Sequence, residues 1–332
     1  MPQAAYGGGA QRMMDIHTTV PLAIAWVVIS VGDMKEALDL WVGHFGMEVA
    51  DRREGADAEL ARAWGLNDDG IVDQALLLTP GQQEGGVHLV RFREPGTPVR
   101  AGAAATDLLP KSVDVAVRDI EARHAELVAS GYRFRSAIGV LETGDVEVHE
   151  VHMTGHDDIN IVFVEQPAHP EPVSSKGYGV APLIVTVSPD NGAEAQFLKQ
   201  MLGLDEIAHN RFGGPQVEKT IGLPPGASLD VRILGDSARA FGRIELVQYE
   251  GVTGENRYPR ARAPARGQLS ITYVVDDLSP WLAKRPGNRV TLLGRGAGIY
   301  GTGRIATMTT PAGLRVDLVE RASTRGPARP GS

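Results

Sequence analysis

Three of the chain's nine histidines crowd into one stretch, "VEVHEVHMTGHDDIN" (Val146–Asn160). Glu147, Glu150, Asp157 and Asp158 stand between and beside them. An imidazole oriented by a neighbouring carboxylate is a general base near neutral pH. The stretch reads as a strand hairpin. His149 and His152 then face opposite sides, and at most one of them enters a cavity unless a bulge intervenes. Either face pairs a carboxylate with an imidazole: Glu150 with His152, or Glu147 with His149. His156 falls in the turn and is expected at the surface. Elsewhere, His88 shares a strand face with Val90 and Phe92. Asp114 is predicted to point inward. A buried carboxylate needs a partner, and His88 is the one expected, giving an acid/base dyad. "GAGIYG" (Gly296–Gly301) has the spacing of a dinucleotide loop. The residues after it alternate like a strand hairpin, whereas a pyrophosphate needs a helix N-terminus. It is read as a loop at a cavity mouth, with Tyr300 facing a ligand.

These residues must be placed by a repeated framework. "ARAWGL" and "GGVHLVRFREPG" return as "EKTIGL" and "FGRIELVQYEG", so that Gly65 matches Gly222 and His88 matches Glu245, 157 positions on. Asp119 matches Asp277 and Glu165 matches Glu320 at nearly the same offset. Such spacing marks an internal duplication. Each half divides again into strand, amphipathic helix and three strands. The units run about 22–96, 110–167, 178–250 and 267–322. The first half is 20–167, the linker 168–177 and the second half 178–322. Residues 1–19 and 323–332 are expected to be disordered tails, with Met1, Met13 and Met14 as alternative starts. The segment "TGENRYPRARAPARG" carries Arg257, Arg260, Arg262 and Arg266, and is read as a solvated linker, with an anion-facing loop as the alternative.

The four first strands alternate alike. Val27, Ile29 and Val31; Val113, Val115 and Val117; Leu183, Val185 and Val187; and Ile271, Tyr273 and Val275 form apolar faces suited to packing under helices. The other faces are mixed: Trp26, Val28, Ser30; Ser112, Asp114, Ala116; Pro182, Ile184, Thr186; Ser270, Thr272, Val274. A mixed face repeated four times predicts sheets curved around a cavity. The fold class is therefore α+β, four βαβββ modules paired into two pseudo-symmetric halves.

This unit, clearest in "VGDMKEALDLWVGHFGMEV", resembles the vicinal oxygen chelate superfamily, which includes glyoxalases, bleomycin-resistance-type binders and extradiol dioxygenases. The resemblance implies metal ligands on the first and last strands. The matching positions are Trp26, Ser112, Pro182 and Ser270, then His88, Val162, Glu245 and Asp317. Few of these side chains coordinate, and a catalytic iron or zinc takes about three protein ligands, often imidazole. No cofactor is therefore expected. A divalent Fe, Mn or Zn ion, were one bound, would fall to Glu245 and Asp317.

The bulk numbers narrow the partners. The net charge of −8 and 5% aromatic content argue against nucleic acid and an anionic membrane surface. The chain has no cysteine, so thiolate chemistry is excluded and the reducing cytoplasm is the natural compartment. "VPLAIAWVVISV" is too short to span a bilayer. The partner expected is a small molecule, aromatic or polyketide-like; a homodimer is left open. The favoured function is a metal-independent isomerase or lyase in the first-half cavity. His88 is the base, Asp114 orients it, His152 or His149 assists, and Trp26, Ser112, Asn160 and Tyr300 contact the substrate. The alternatives are a non-catalytic binding or resistance protein, and an extradiol dioxygenase with ligands displaced to His88 and the His149–His156 hairpin.

Overall fold

The computed structural model describes residues 22–143, 146–283, 290–295 and 298–321, with the side chains of residues 142, 143, 146, 182 and 295 excepted. The two predicted tails, and Gly296 and Ala297 of the glycine-rich loop, lie outside the described residues.

Among the described residues seventeen strands form two mixed sheets. The first module supplies β1 (Trp26–Ser30), α1 (Met34–Leu38), β2 (Glu48–Glu54), α2 (Ala58–Ala63), β3 (Ile71–Leu78) and β4 (Gly86–Phe92). The second supplies β5 (Pro110–Val117), α3 (Ile120–Ala129), β6 (Arg133–Phe134), β7 (Gly139–Thr143), β8 (Val146–Thr154) and β9 (Asn160–Glu165). The third supplies β10 (Tyr178–Val187), α4 (Asn191–Leu202), β11 (Asp205–Gly213), α5 (Pro215–Ile221), β12 (Ser228–Gly235) and β13 (Arg243–Glu250). The fourth supplies β14 (Gly267–Val275), α6 (Ser279–Ala283), β15 (Val290–Arg295), β16 (Arg304–Thr309) and β17 (Arg315–Glu320). Among the described residues no helix is long and apolar enough to cross a membrane.

The sheets do not follow the sequence halves. The first runs β15-β16-β17-β14-β1-β4-β3-β2 and joins modules one and four through the antiparallel pair β1–β14. The second joins modules two and three through β5–β10. The two modules of one sequence half therefore do not share a sheet. Each sequence half gives one module to each sheet.

The apolar faces of β1, β5 and β14 pack in the main core as alternation predicts. The third first-strand departs. Ile184 lies in the main core and Val185 in the cluster on the opposite face. Val180 and Ile184 both face the main core, and the bulge between Val180 and Leu183, with Ala181 at φ 58, moves the pairing by two residues and so keeps that parity. The repeated glutamates act alike. Glu165 accepts from the backbone N–H groups of Asp119 and Ile120 opening α3, and Glu320 from Leu278 before α6. Each closes its module by capping that module's helix.

Candidate functional site

Cross-strand partners share a face, so pairing registers give the composition of each concave surface. On the first sheet, His88 lies beside Val28, and Val28 beside Ser270; Trp26 lies beside Thr272, and Thr272 beside Asp317. This face is filled. Helix α2 and Trp64 lie over it, joined by Phe92, Ile299 and Val319.

His88 is fully buried and both its nitrogens are engaged. Gln74 Nε2 donates to Asp57 at 3.1 Å, which turns Gln74 Oε1 towards His88 Nε2, also at 3.1 Å. His88 must then donate from Nε2. Its Nδ1 accepts the Tyr300 hydroxyl at 2.7 Å. Asp57 ends the chain by capping α2 at the N–H of Leu60. Burial holds the His88 pKa at about 3 and pushes the Tyr300 phenol upward. Neither group exchanges a proton near neutrality, so the His88 network positions α2 and the Tyr300 loop. Tyr300→Phe is expected to leave a buried acceptor unpaired and lower the unfolding free energy by about 1–3 kcal/mol, measured by urea denaturation.

Trp26 lies 5.8 Å from Tyr300, centroid to centroid, at a cleft of about 740 Å³ that also touches Trp281, Ile299 and Val319. Gly86 allows this placement, since a Cβ there would come within 2.9 Å of the indole. Asp317 is held by Arg315 Nε at 2.9 Å and by Ser270 Oγ at 3.2 Å.

The second sheet carries the other half of the expected site. Its registers align His152, Val162, Asp114 and Leu183 in one row, and Ser112, Val185 and Glu245 in another. Asp114, buried, accepts from Ser112 Oγ at 3.2 Å. Glu150 accepts from His152 Nε2 at 2.7 Å, while Asn160 Nδ2 meets His152 Nδ1 at 3.2 Å. Asn160 Oδ1 is buried without a partner. Burial pushes Glu245 up to about 8, and the negative Glu150 adds to this. Burial, Glu245 and Glu150 push Asp114 well up. Lys111 donates to the Ala105 carbonyl and sits 5.2 Å over the Tyr249 ring; burial and nearby Arg100 bring it down to about 7.

In the repeat, Trp64 corresponds to Ile221 at the end of α5. Ile221 packs with Val217 and Leu223, and Glu245 is half-buried, whereas His88 at the matching position is sealed.

The structure thus divides the predicted set. Asp114, His152, Ser112 and Asn160 lie together. His88, Trp26 and Tyr300 lie together on the other sheet. The expected His88–Asp114 dyad is not formed, because β4 and β5 belong to different sheets. Glu245 and Asp317 are likewise separated and cannot share a metal. His149 pairs with exposed Glu147, away from the Asp114 face. His156 is buried rather than exposed: Nε2 accepts from Trp41 Nε1 at 2.8 Å and Nδ1 meets Asp157 at 3.1 Å. The displaced-ligand set of His88 with the hairpin histidines is therefore not assembled. Sequence reasoning missed Glu245 as a neighbour of Asp114, and missed Lys111, whose only signal was its place beside Ser112.

Residues 23–163 match the Glyoxalase/Bleomycin resistance protein/Dioxygenase superfamily. This segment belongs to that superfamily. The fold of the whole chain agrees. Glyoxalase I from Zea mays is 16% identical with a TM-score of 0.61, over 90% of this chain and 92% of that one. A candidate dioxygenase from Bacillus subtilis is 12% identical with a TM-score of 0.58, over 92% and 86%. No curated protein sequence matches the chain. Members of this superfamily often hold a divalent metal, and the residues here fit one poorly. On the first sheet, the donors of His88 and Asp317 are already taken within the protein. On the second, Glu245 stands with Ser112 and Val162. Among the described residues no group of three or more histidines and carboxylates is arranged to hold a metal.

Proposed function

We propose that the chain is an enzyme performing acid–base chemistry, isomerisation or elimination, on a small aromatic or polyketide-like molecule at the concave face of the second sheet. The observation that carries this reading is the convergence of buried Asp114 and half-buried Glu245 on one face beside the Glu150–His152 pair. Burial and the negative Glu150 keep a proton on Glu245 near neutrality, and burial with both glutamates pushes Asp114 well up, so a carboxylic acid is available as donor. Glu150, hydrogen-bonded to His152, supplies the accepting side. Titratable groups driven apart in this way are the ordinary means by which one site acts as both acid and base. Ser112 and Asn160 orient the substrate, the latter through its unpartnered carbonyl oxygen.

The test is proton exchange rather than turnover. A panel of small enolisable aromatic and polyketide-like ketones is incubated with the chain in D₂O, and deuterium at the α-carbon is followed by NMR. Exchange that depends on Glu245 and Glu150, and survives Tyr300→Phe, is the expected result. Absence of exchange for every ketone that binds would overturn the catalytic reading. It would favour a second one, a non-catalytic small-molecule binder, which the Trp26–Tyr300 cleft supports by its size and aromatic floor.

A further inference from the structure

The arginine-rich segment between β13 and β14 is resolved residue by residue. Arg257 pairs with Asp107, Arg260 with Glu255 and Arg266 with Asp157. Arg262 is exposed and has no ion-pair partner among the described residues. It lines a groove of about 420 Å³ on the first sheet, together with Trp64, Pro259, Ala261, Thr309 and Arg315. Among the described residues no carboxylate lines this groove, although the chain carries a net charge of −8.

Two more donors border the groove without acceptors. Arg315 gives Nε to Asp317, and its Nη2 is buried and unpartnered. Trp64 is 9% exposed and its indole N–H has no partner. The Arg315 guanidinium lies 5.8 Å from the Trp64 ring centroid. Both atoms are closed to solvent, so a ligand reaches them through a small side-chain movement, which the gained acceptor offsets. A guanidinium fork matches a planar carboxylate in bidentate geometry. Asp317 already offsets Arg315, so the groove suits one negative charge better than two. Pro259, Ala261 and Trp64 give an apolar wall to the remainder of such a ligand.

We infer that this groove binds a small aromatic carboxylate, its charge between Arg262 and Arg315 and its ring against Trp64 and Pro259. It is separate from the Asp114–Glu245 face and does not depend on the function proposed for it. The experiment is isothermal titration of the full chain with benzoate and, separately, inorganic phosphate. Saturable binding of one benzoate per chain is expected, weakened at least tenfold by Arg262→Ala, abolished by Arg262→Glu and unchanged by Glu245→Gln. Arg262 is exposed, so both of its variants should melt with the unaltered chain. Three results would overturn the inference: no saturable benzoate binding, undiminished binding in Arg262→Glu, or loss in Glu245→Gln instead. Tighter binding of phosphate than of benzoate would overturn the carboxylate assignment.

Discussion

Trp41→Ala is expected to lower the unfolding free energy by about 3–5 kcal/mol, and the melting temperature by roughly 10 °C. Trp41 is fully buried, and its ring meets Phe45 edge-on at 5.5 Å. Its indole N–H donates to His156, which lies 115 positions on in the sequence. His156 in turn meets Asp157, which accepts from the Gly32 N–H at 3.1 Å and from Arg266 at 2.9 Å. One buried side chain thus joins the first module, the turn of the second and the approach to β14. The substitution removes the apolar volume and leaves a buried imidazole nitrogen without its donor. Trp41→Phe separates these contributions: it keeps most of the volume and should cost about 1–3 kcal/mol, the share of the unmade hydrogen bond. Urea denaturation of both variants measures the difference. A Trp41→Ala chain within about 1 kcal/mol of the unaltered one would show that this link does not hold the modules together.

How much of this was legible in the sequence depends on the distance over which a signal acts. Val27, Ile29 and Val31 against Trp26 and Ser30 declared their faces by parity alone, because alternation is a property of the strand itself. The Glu147–His149 and Glu150–His152 pairs were legible for the same reason: residues two apart on a strand are neighbours. The face of Val185 was not, because Ile184 and Val185 are both apolar and alternation alone does not choose between them. Sheet pairing was hidden by a different cause. The offset of 157 positions says which modules are alike, but hydrogen bonding between β1 and β14 is settled by packing of the finished sheets. That one unreadable fact decided the site. It parted Asp114 from His88 and gave it Glu245 instead. The burial of His156 was unreadable for a similar reason, since its donor, Trp41, belongs to another module.

Glu245→Gln is the change expected to affect function most. Glutamine keeps the shape of the side chain and removes both the transferable proton and the charge. Deuterium exchange into a bound ketone should fall at least about a hundredfold, within the range for loss of a positioned acid or base. The same variant has a stability signature that needs no substrate. Glu245 holds its proton to about pH 8 in the folded chain, against an ordinary value of 4.5. Between these two pH values the folded state carries a proton that the unfolded state has lost, so this group makes stability fall as pH rises. Glutamine cannot titrate. The variant and the unaltered chain should therefore melt together near pH 4.5 and diverge towards pH 8, where the variant is the more stable. Glu245 is half-buried and screened by water, so the gap is put at about 1 kcal/mol, or roughly 2–4 °C. His88 contributes the opposite slope, losing stability as pH falls below 6.5 towards 3, but it is common to both chains and cancels in the comparison. Glu150→Gln removes the accepting group, so exchange should fall, and with the repelling charge gone the alkaline limb of the residual exchange moves to lower pH. Parallel melting curves across the whole pH range would mean that Glu245 ionises normally, and the acid at the centre of the proposed site would be lost with it.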